Sequence, residues 1–187
     1  MLFVQVRKAV DGRRMRGDQR RNELLQATLA VIERDGVAGV SHRAVAAAAD
    51  VSVASITYHF ATLDALLVAA LAWAAEDLAA ELHGWGSELG ARPADELARL
   101  IEHSVVRRRG RTLALYELYL YAARRPELRD VAGAWLEPLT DIARTVTADP
   151  QKARLLVAAL DGLLMQALMG AREVDRADFA ALLQVLR

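Results

Sequence analysis

Apolar residues recur along this chain at spacings of three and four, the period of a helix laid against a core. Over residues 18–35 they form the stripe Leu25, Leu29 and Ile32, closed by Gly36 with a second break at Gly39. Ser41 suits the N-cap of a short helix to about Ala49, with Val45, Ala46 and Ala49 facing inward. Asp50 ends that helix, and Ser52 caps another running to about His59. Thr62 opens a long helix on which Leu63, Leu66, Leu67, Ala70, Leu71, Ala74, Leu78 and Leu82 share a face, and Gly84, Gly86 and Gly90 close it.

The same period predicts helices over 94–108, over Leu113 to Arg124 after a break at Gly110, and over about 127–147 behind Pro126. Asp149 and Pro150 open a helix to about Gly170, and Asp175 opens the last one. The stretch 153–170 is apolar nearly all round, so it is either central or half of a subunit interface. With no strand-like alternation, the chain reads as all-α. Residues 1–17 form a basic flexible arm, 18–62 a three-helix helix-turn-helix domain, and 63–187 a second helical domain.

Composition narrows the function. At 54% hydrophobic and 26% charged with no net charge, the 187 residues can bury a core, and a disordered chain is not expected. The absence of cysteine removes disulfides, thiol catalysis and Cys-based zinc sites. The four histidines, His42, His59, His83 and His103, have no partner at metal-ligand or catalytic spacing, and no nucleotide or hydrolase fingerprint occurs. Asp77 and Glu81 share a helix face and read as a solvated surface. Neither an enzyme, a metal site nor a cofactor is therefore expected. No apolar run approaches the ~18–20 residues of a membrane span. A cytoplasmic protein without a targeting segment is the expectation.

Charge is asymmetric. Residues 1–60 carry nine basic and six acidic side chains, the remainder 15 and 18. Arg7, Lys8, Arg13, Arg14, Arg16, Arg20 and Arg21 crowd the start, where they suit either phosphate neutralisation or a solvated, disordered tail. The short helix after Ser52 offers Val53, Ala54, Ser55, Thr57, Tyr58 and His59 outward while Ile56 and Phe60 pack back, a shape that fits a major groove.

The segment RRNELLQATLAVIERDGVAGVSHRAVAAAADVSVASITYHFATLDALLVAAL, residues 20–71, resembles the DNA-binding domain of TetR-family transcriptional regulators. The likeness rests on the glycine pair, the Ser41 start, the turn Val51–Ser52, the ending Tyr58–Phe60 and the apolar helix behind it. It implies phosphate or groove-edge contacts at Ser41 and Arg43, and Ser52, Val53, Ala54 and Ser55 at the start of the recognition helix. Tyr58 and His59 match phosphate-contacting positions, and Val53, Ala54 and Thr57 match base-edge positions. Valine, alanine and the threonine methyl suit thymine methyl groups, and of these side chains only Thr57 offers a hydrogen bond. Two residues depart from the family pattern: Asp50 replaces the usual turn glycine, and Leu63 replaces the usual lysine of a phosphate clamp.

The resemblance further implies a ligand-responsive repressor that binds a palindromic stretch of double-stranded DNA as a homodimer, half-sites ~34 Å apart. Helices of about 150–170 and 175–187 would pair across the two-fold. An unidentified small molecule would release the DNA. Candidate pocket residues are Trp135, Tyr119, Tyr116, His103, Met165 and Asp161, the last an acid inside an apolar helix that needs a ligand, an arginine or a cap as partner. Two other readings stand beside this one: a regulator with a vestigial pocket, and a helical ligand-binding protein that has lost DNA binding.

Overall fold

The computed structural model describes residues 2–89, 92–125, 133, 136–171 and 173–186, with side chains placed over 17–81 and, among those described, from 92 onward. Nine α-helices and no strand occur among the described residues. They fall into two units, Met1–Trp73 and Ala74–Arg187.

In the first unit, α1 (Leu2–Asp35) runs through the segment that the sequence reading assigned to a flexible arm. It stops at Gly36, whose φ of 72° only glycine adopts without strain. A turn of tight helix, Val37–Gly39, follows. A Cβ on Gly39 would sit 2.5 Å from Asp35 Cβ, so this second glycine is required by close approach. Next come α2 (His42–Ala48) and α3 (Val53–His59). The Ser41 Oγ accepts from the Ala44 N–H at 3.1 Å and the Ser52 Oγ from the Ser55 N–H at 3.3 Å, which makes both serines the expected caps. Between them Asp50 adopts φ 52°. The Asp50 N–H reaches Ala47 O and the Val51 N–H reaches Ala46 O, a Schellman ending with aspartate in the glycine position. Leu24, Leu25, Leu29 and Ile32 of α1, Val45 of α2 and Ile56 of α3 are buried, and α2 packs on both α1 and α3.

Helix α4 (Leu63–Leu89) is capped by Thr62, whose Oγ1 accepts from the Ala65 N–H at 3.1 Å. It passes through Gly84 and Gly86, which the sequence had as its end. In the second unit, α5 (Pro93–Glu102) leads into a wider turn, His103–Arg107, in which the Arg108 N–H reaches back five residues to His103 O at 3.0 Å. Such a turn frees one carbonyl. The Thr112 hydroxyl meets it, lying 2.8 Å from Ser104 O and 3.0 Å from Arg108 O. The break therefore falls at Arg108, and α6 (Arg109–Ala123) contains Gly110 rather than starting after it.

Pro126 and the start of the expected 127–147 helix lie outside the described residues. A helix α7 (Glu137–Val146) with proline in its first turn occupies the rest of that range. Asp149 caps α8 (Pro150–Leu168), accepting from the Gln151 and Lys152 N–H groups. Asp175 and Asp178 form a reciprocal capping box on α9 (Arg176–Val185). Leu97, Leu100, Ile101, Ile142, Leu156 and Phe179 make the core of this unit, where α5 packs on α9 and α7 on α8. No helix among the described residues is long and apolar enough to cross a membrane.

Candidate functional site

Helix α3 is held on one face and bare on the other. Ile56 and Phe60 are buried, and the Arg21 guanidinium of α1 lies 5.2 Å over the Phe60 ring, a contact that sequence reasoning missed. Opposite them Ser52, Val53, Ala54, Thr57 and Tyr58 are exposed, Tyr58 at 85% and Val53 at 43%, while Ser55 and His59 are half-buried. The Tyr58 and His59 rings meet edge to face at 5.1 Å. Thr57 Oγ1 lies 3.4 Å from Val53 O and 3.2 Å from Ala54 O, so its hydroxyl hydrogen is turned into its own helix. Ser41 and Arg43 are exposed at the start of α2. Leu63, where a phosphate clamp was missed, is half-buried in the first turn of α4, followed by the exposed Asp64.

In the second unit the Tyr116 hydroxyl of α6 donates to Asp161 Oδ1 of α8 at 2.8 Å. The partner of this acid is thus a phenol, none of the three that the sequence suggested. Burial pushes the Tyr116 phenol well above the usual tyrosine range, and the Asp161 charge, its hydrogen bond and neighbouring Tyr119 add to the shift. Tyr119 and Met165 are half-buried, Met165 one turn beyond Asp161 on α8. Trp135 lies outside the described residues.

His103 joins another group. Its Nε2 is 2.8 Å from Glu81 Oε1 of α4, and Arg108 also pairs with Glu81. Arg108 and Arg111 both reach Asp77 Oδ2, at 3.1 and 3.2 Å. Asp77 and Glu81 are therefore ion-paired and half-buried, not the solvated face expected; acids four apart on α4 met by arginines over 108–111 were the available signal. Arg109 donates to Leu168 O at 2.6 Å and so caps the C-terminal end of α8. Two cavities of about 390 and 330 Å³ are bordered by Gly133, Leu136 and Thr140 and by Pro93, Val146 and Leu183 respectively. Neither is lined by a nominated ligand residue. No three potential metal ligands gather among the described residues.

Residues 24–70 match the profile of bacterial regulatory proteins of the tetR family, and residues 90–187 match the tetracyclin repressor-like C-terminal domain. The chain belongs to the TetR family. This TetR-family chain is 32% identical over 144 residues to the HTH-type nicotine-responsive transcriptional repressor HdnoR of Paenarthrobacter nicotinovorans, covering 75% of this chain and 69% of that protein. Among solved structures it resembles the multidrug binding protein EbrR complexed with ethidium, at 42% identity and a TM-score of 0.78 over 89% of this chain and 98% of that one. EbrR is also solved with proflavin and with malachite green. A TetR-family member from Streptomyces coelicolor A3 is 42% identical, with a TM-score of 0.76 over 89% of this chain and 97% of that one. These relatives make the chain a ligand-responsive transcriptional repressor, and a binding protein without a DNA function is not favoured.

Proposed function

We propose that this TetR-family repressor binds a palindromic operator as a homodimer, reads it with α3, and is released by a cationic aromatic small molecule. It acts as a regulator, not as an enzyme, and a cytoplasmic location follows from its DNA partner. Ser41, Arg43, Ser52, Val53, Ala54, Ser55, Thr57, Tyr58 and His59 form the DNA surface within residues 18–62, with residues 1–17 adding positive charge. Residues 63–187 bind the effector and dimerise through α8 and α9. Leu155 on α8, Met169 at its C-terminal cap and Val185 on α9 are exposed apolar side chains that support this pairing.

The observation that carries the effector class is the Asp161–Tyr116 pair. Asp161 is a half-buried carboxylate whose partner among the described residues is a neutral phenol, so no cationic side chain there offsets its charge and it is open to a cation. EbrR holds ethidium, proflavin and malachite green, and HdnoR answers to nicotine, which fits an effector of that class. Tyr119 and Met165 complete the proposed ligand surroundings, whereas His103 pairs with Glu81 and Trp135 lies outside the described residues.

Fluorescence anisotropy on the DNA upstream of its own gene, against a scrambled duplex, tests both halves. Binding at least ~10-fold tighter to the upstream duplex, relieved by proflavin, is expected, since a coupling of about 1–3 kcal/mol suffices for regulation. A Thr57→Ala, Tyr58→Ala double variant that keeps its selectivity would remove α3 from the reading.

A further inference from the structure

The donors that ordinarily read DNA are absent from α3. Arginine or lysine recognises guanine, and asparagine or glutamine recognises adenine, through paired hydrogen bonds in the major groove. None of these residues lies between Asp50 and Phe60. Thr57, the one base-facing side chain with a hydroxyl, directs its hydrogen at Val53 O and Ala54 O. What it presents outward is a methyl group and a lone pair. Val53 and Ala54, on the same exposed face, carry methyl groups only.

We propose that this protein selects its operator through thymine 5-methyl groups, packed against the apolar patch of Val53, Ala54 and the Thr57 methyl. The proposal rests on α3 being the DNA-reading helix. Specificity from α3 then comes from apolar contact, Tyr58 on phosphate fixes register without reading sequence, and Arg43 at the start of α2 keeps its phosphate or groove-edge role apart from this patch. Thymine and uracil present the same hydrogen-bonding edge and differ only by this methyl group, so deoxyuridine isolates the contact. Removing one buried methyl-sized group weakens binding about four-fold.

The experiment uses the full chain and a duplex recovered by selecting bound fragments from a random pool. Affinity is measured with thymine, and with deoxyuridine at every thymine of the half-sites. The wild type is expected to lose at least ~10-fold with deoxyuridine, because several methyl contacts recur across two half-sites. Thr57→Ser, which keeps the hydroxyl and deletes the methyl, is expected to shrink that ratio by about four-fold for each half-site. Val53→Ala is expected to act in the same direction, and both positions are exposed, so folding is not at stake. Equal wild-type affinity for the thymine and deoxyuridine duplexes overturns the proposal while leaving the repressor reading intact. An unchanged ratio in both variants also overturns it, by assigning the methyl effect to DNA shape. Recovery of no preferred fragment removes the DNA-reading role of α3, and the proposal with it.

Discussion

Asp161→Asn removes a charge while keeping the shape of the side chain, and so isolates the electrostatic part of effector binding. A cation ~4 Å from the carboxylate gains about 4 kcal/mol at an effective dielectric constant of 20. Asp161 is half-buried, so solvent screens part of this, and the cation loses hydration on entering. A net contribution of about 1–2 kcal/mol remains, a five- to thirty-fold loss of ethidium affinity in the variant. Tyr116→Phe is the necessary companion. It deletes the 2.8 Å hydrogen bond but keeps the charge, so ethidium affinity is expected to hold or rise. Fluorescence titration of ethidium against wild type and both variants, with a neutral aromatic of similar size alongside, reads these effects. Unchanged ethidium affinity in Asp161→Asn refutes the reasoning. So does an equal loss for the neutral compound, because that would be a loss of shape and not of charge.

Other consequences are measurable on the purified protein. The folded-state Tyr116 phenol titrates above its ordinary value, so its contribution to stability is complete below pH ~10 and lost as pH rises beyond it. The loss has a limiting slope of ~1.4 kcal/mol per pH unit, lessened by partial exposure, and urea midpoints at pH 8, 10 and 11 should fall less steeply for Tyr116→Phe. Thr112→Val leaves the carbonyl freed by the wide turn without its hydroxyl donor and should cost about 1–2 kcal/mol, read as a drop in the denaturation midpoint. Leu63→Lys restores a phosphate contact, so DNA affinity should increase and the slope of log affinity against log salt should steepen by up to ~0.9 per protomer. No change in that slope would show that residue 63 lies away from the backbone of the duplex.

Local chemistry made much of the fold legible. Capping is decided within three residues, so Ser41, Ser52, Thr62, Asp149 and Asp175 could be named as helix starts from sequence, and each side chain accepts the expected backbone N–H. The outward and inward sides of α3 followed from its period in the same way. Glycine was a poorer guide. Gly110 lies within α6 and Gly84 and Gly86 within α4, because the ~1 kcal/mol cost of a helical glycine is easily met by tertiary packing. The wide turn at His103–Arg107 depends on one shifted hydrogen bond and a hydroxyl from Thr112, which no periodicity announces. Likewise the partner of Asp161 stands 45 positions away in sequence, beyond the reach of any local pattern.

The ion-paired acids of the second unit contrast with Asp161 and support the site proposed there. Asp77 faces two guanidiniums, Glu81 faces Arg108 and His103, Asp95 pairs with Arg176, and Glu96 pairs with Arg99 although it is only 2% exposed. A ligand cation at any of these must displace a side chain of its own charge and leave that side chain unpaired, which cancels the gain. Asp178 is used by the capping box of α9. At Asp161 the incumbent is a phenol, and displacing it costs one hydrogen bond, about 1.5–3 kcal/mol before the tyrosine finds a new partner. The cation, in return, meets a full negative charge. Since charge and apolar area demand no fixed pattern of donors, cations of different outline fit the same recognition, provided that each brings an apolar body to lie against Tyr119 and Met165. Selectivity at such a site is for charge sign first and shape second, and neutral analogues should be rejected more strongly than cations of different size.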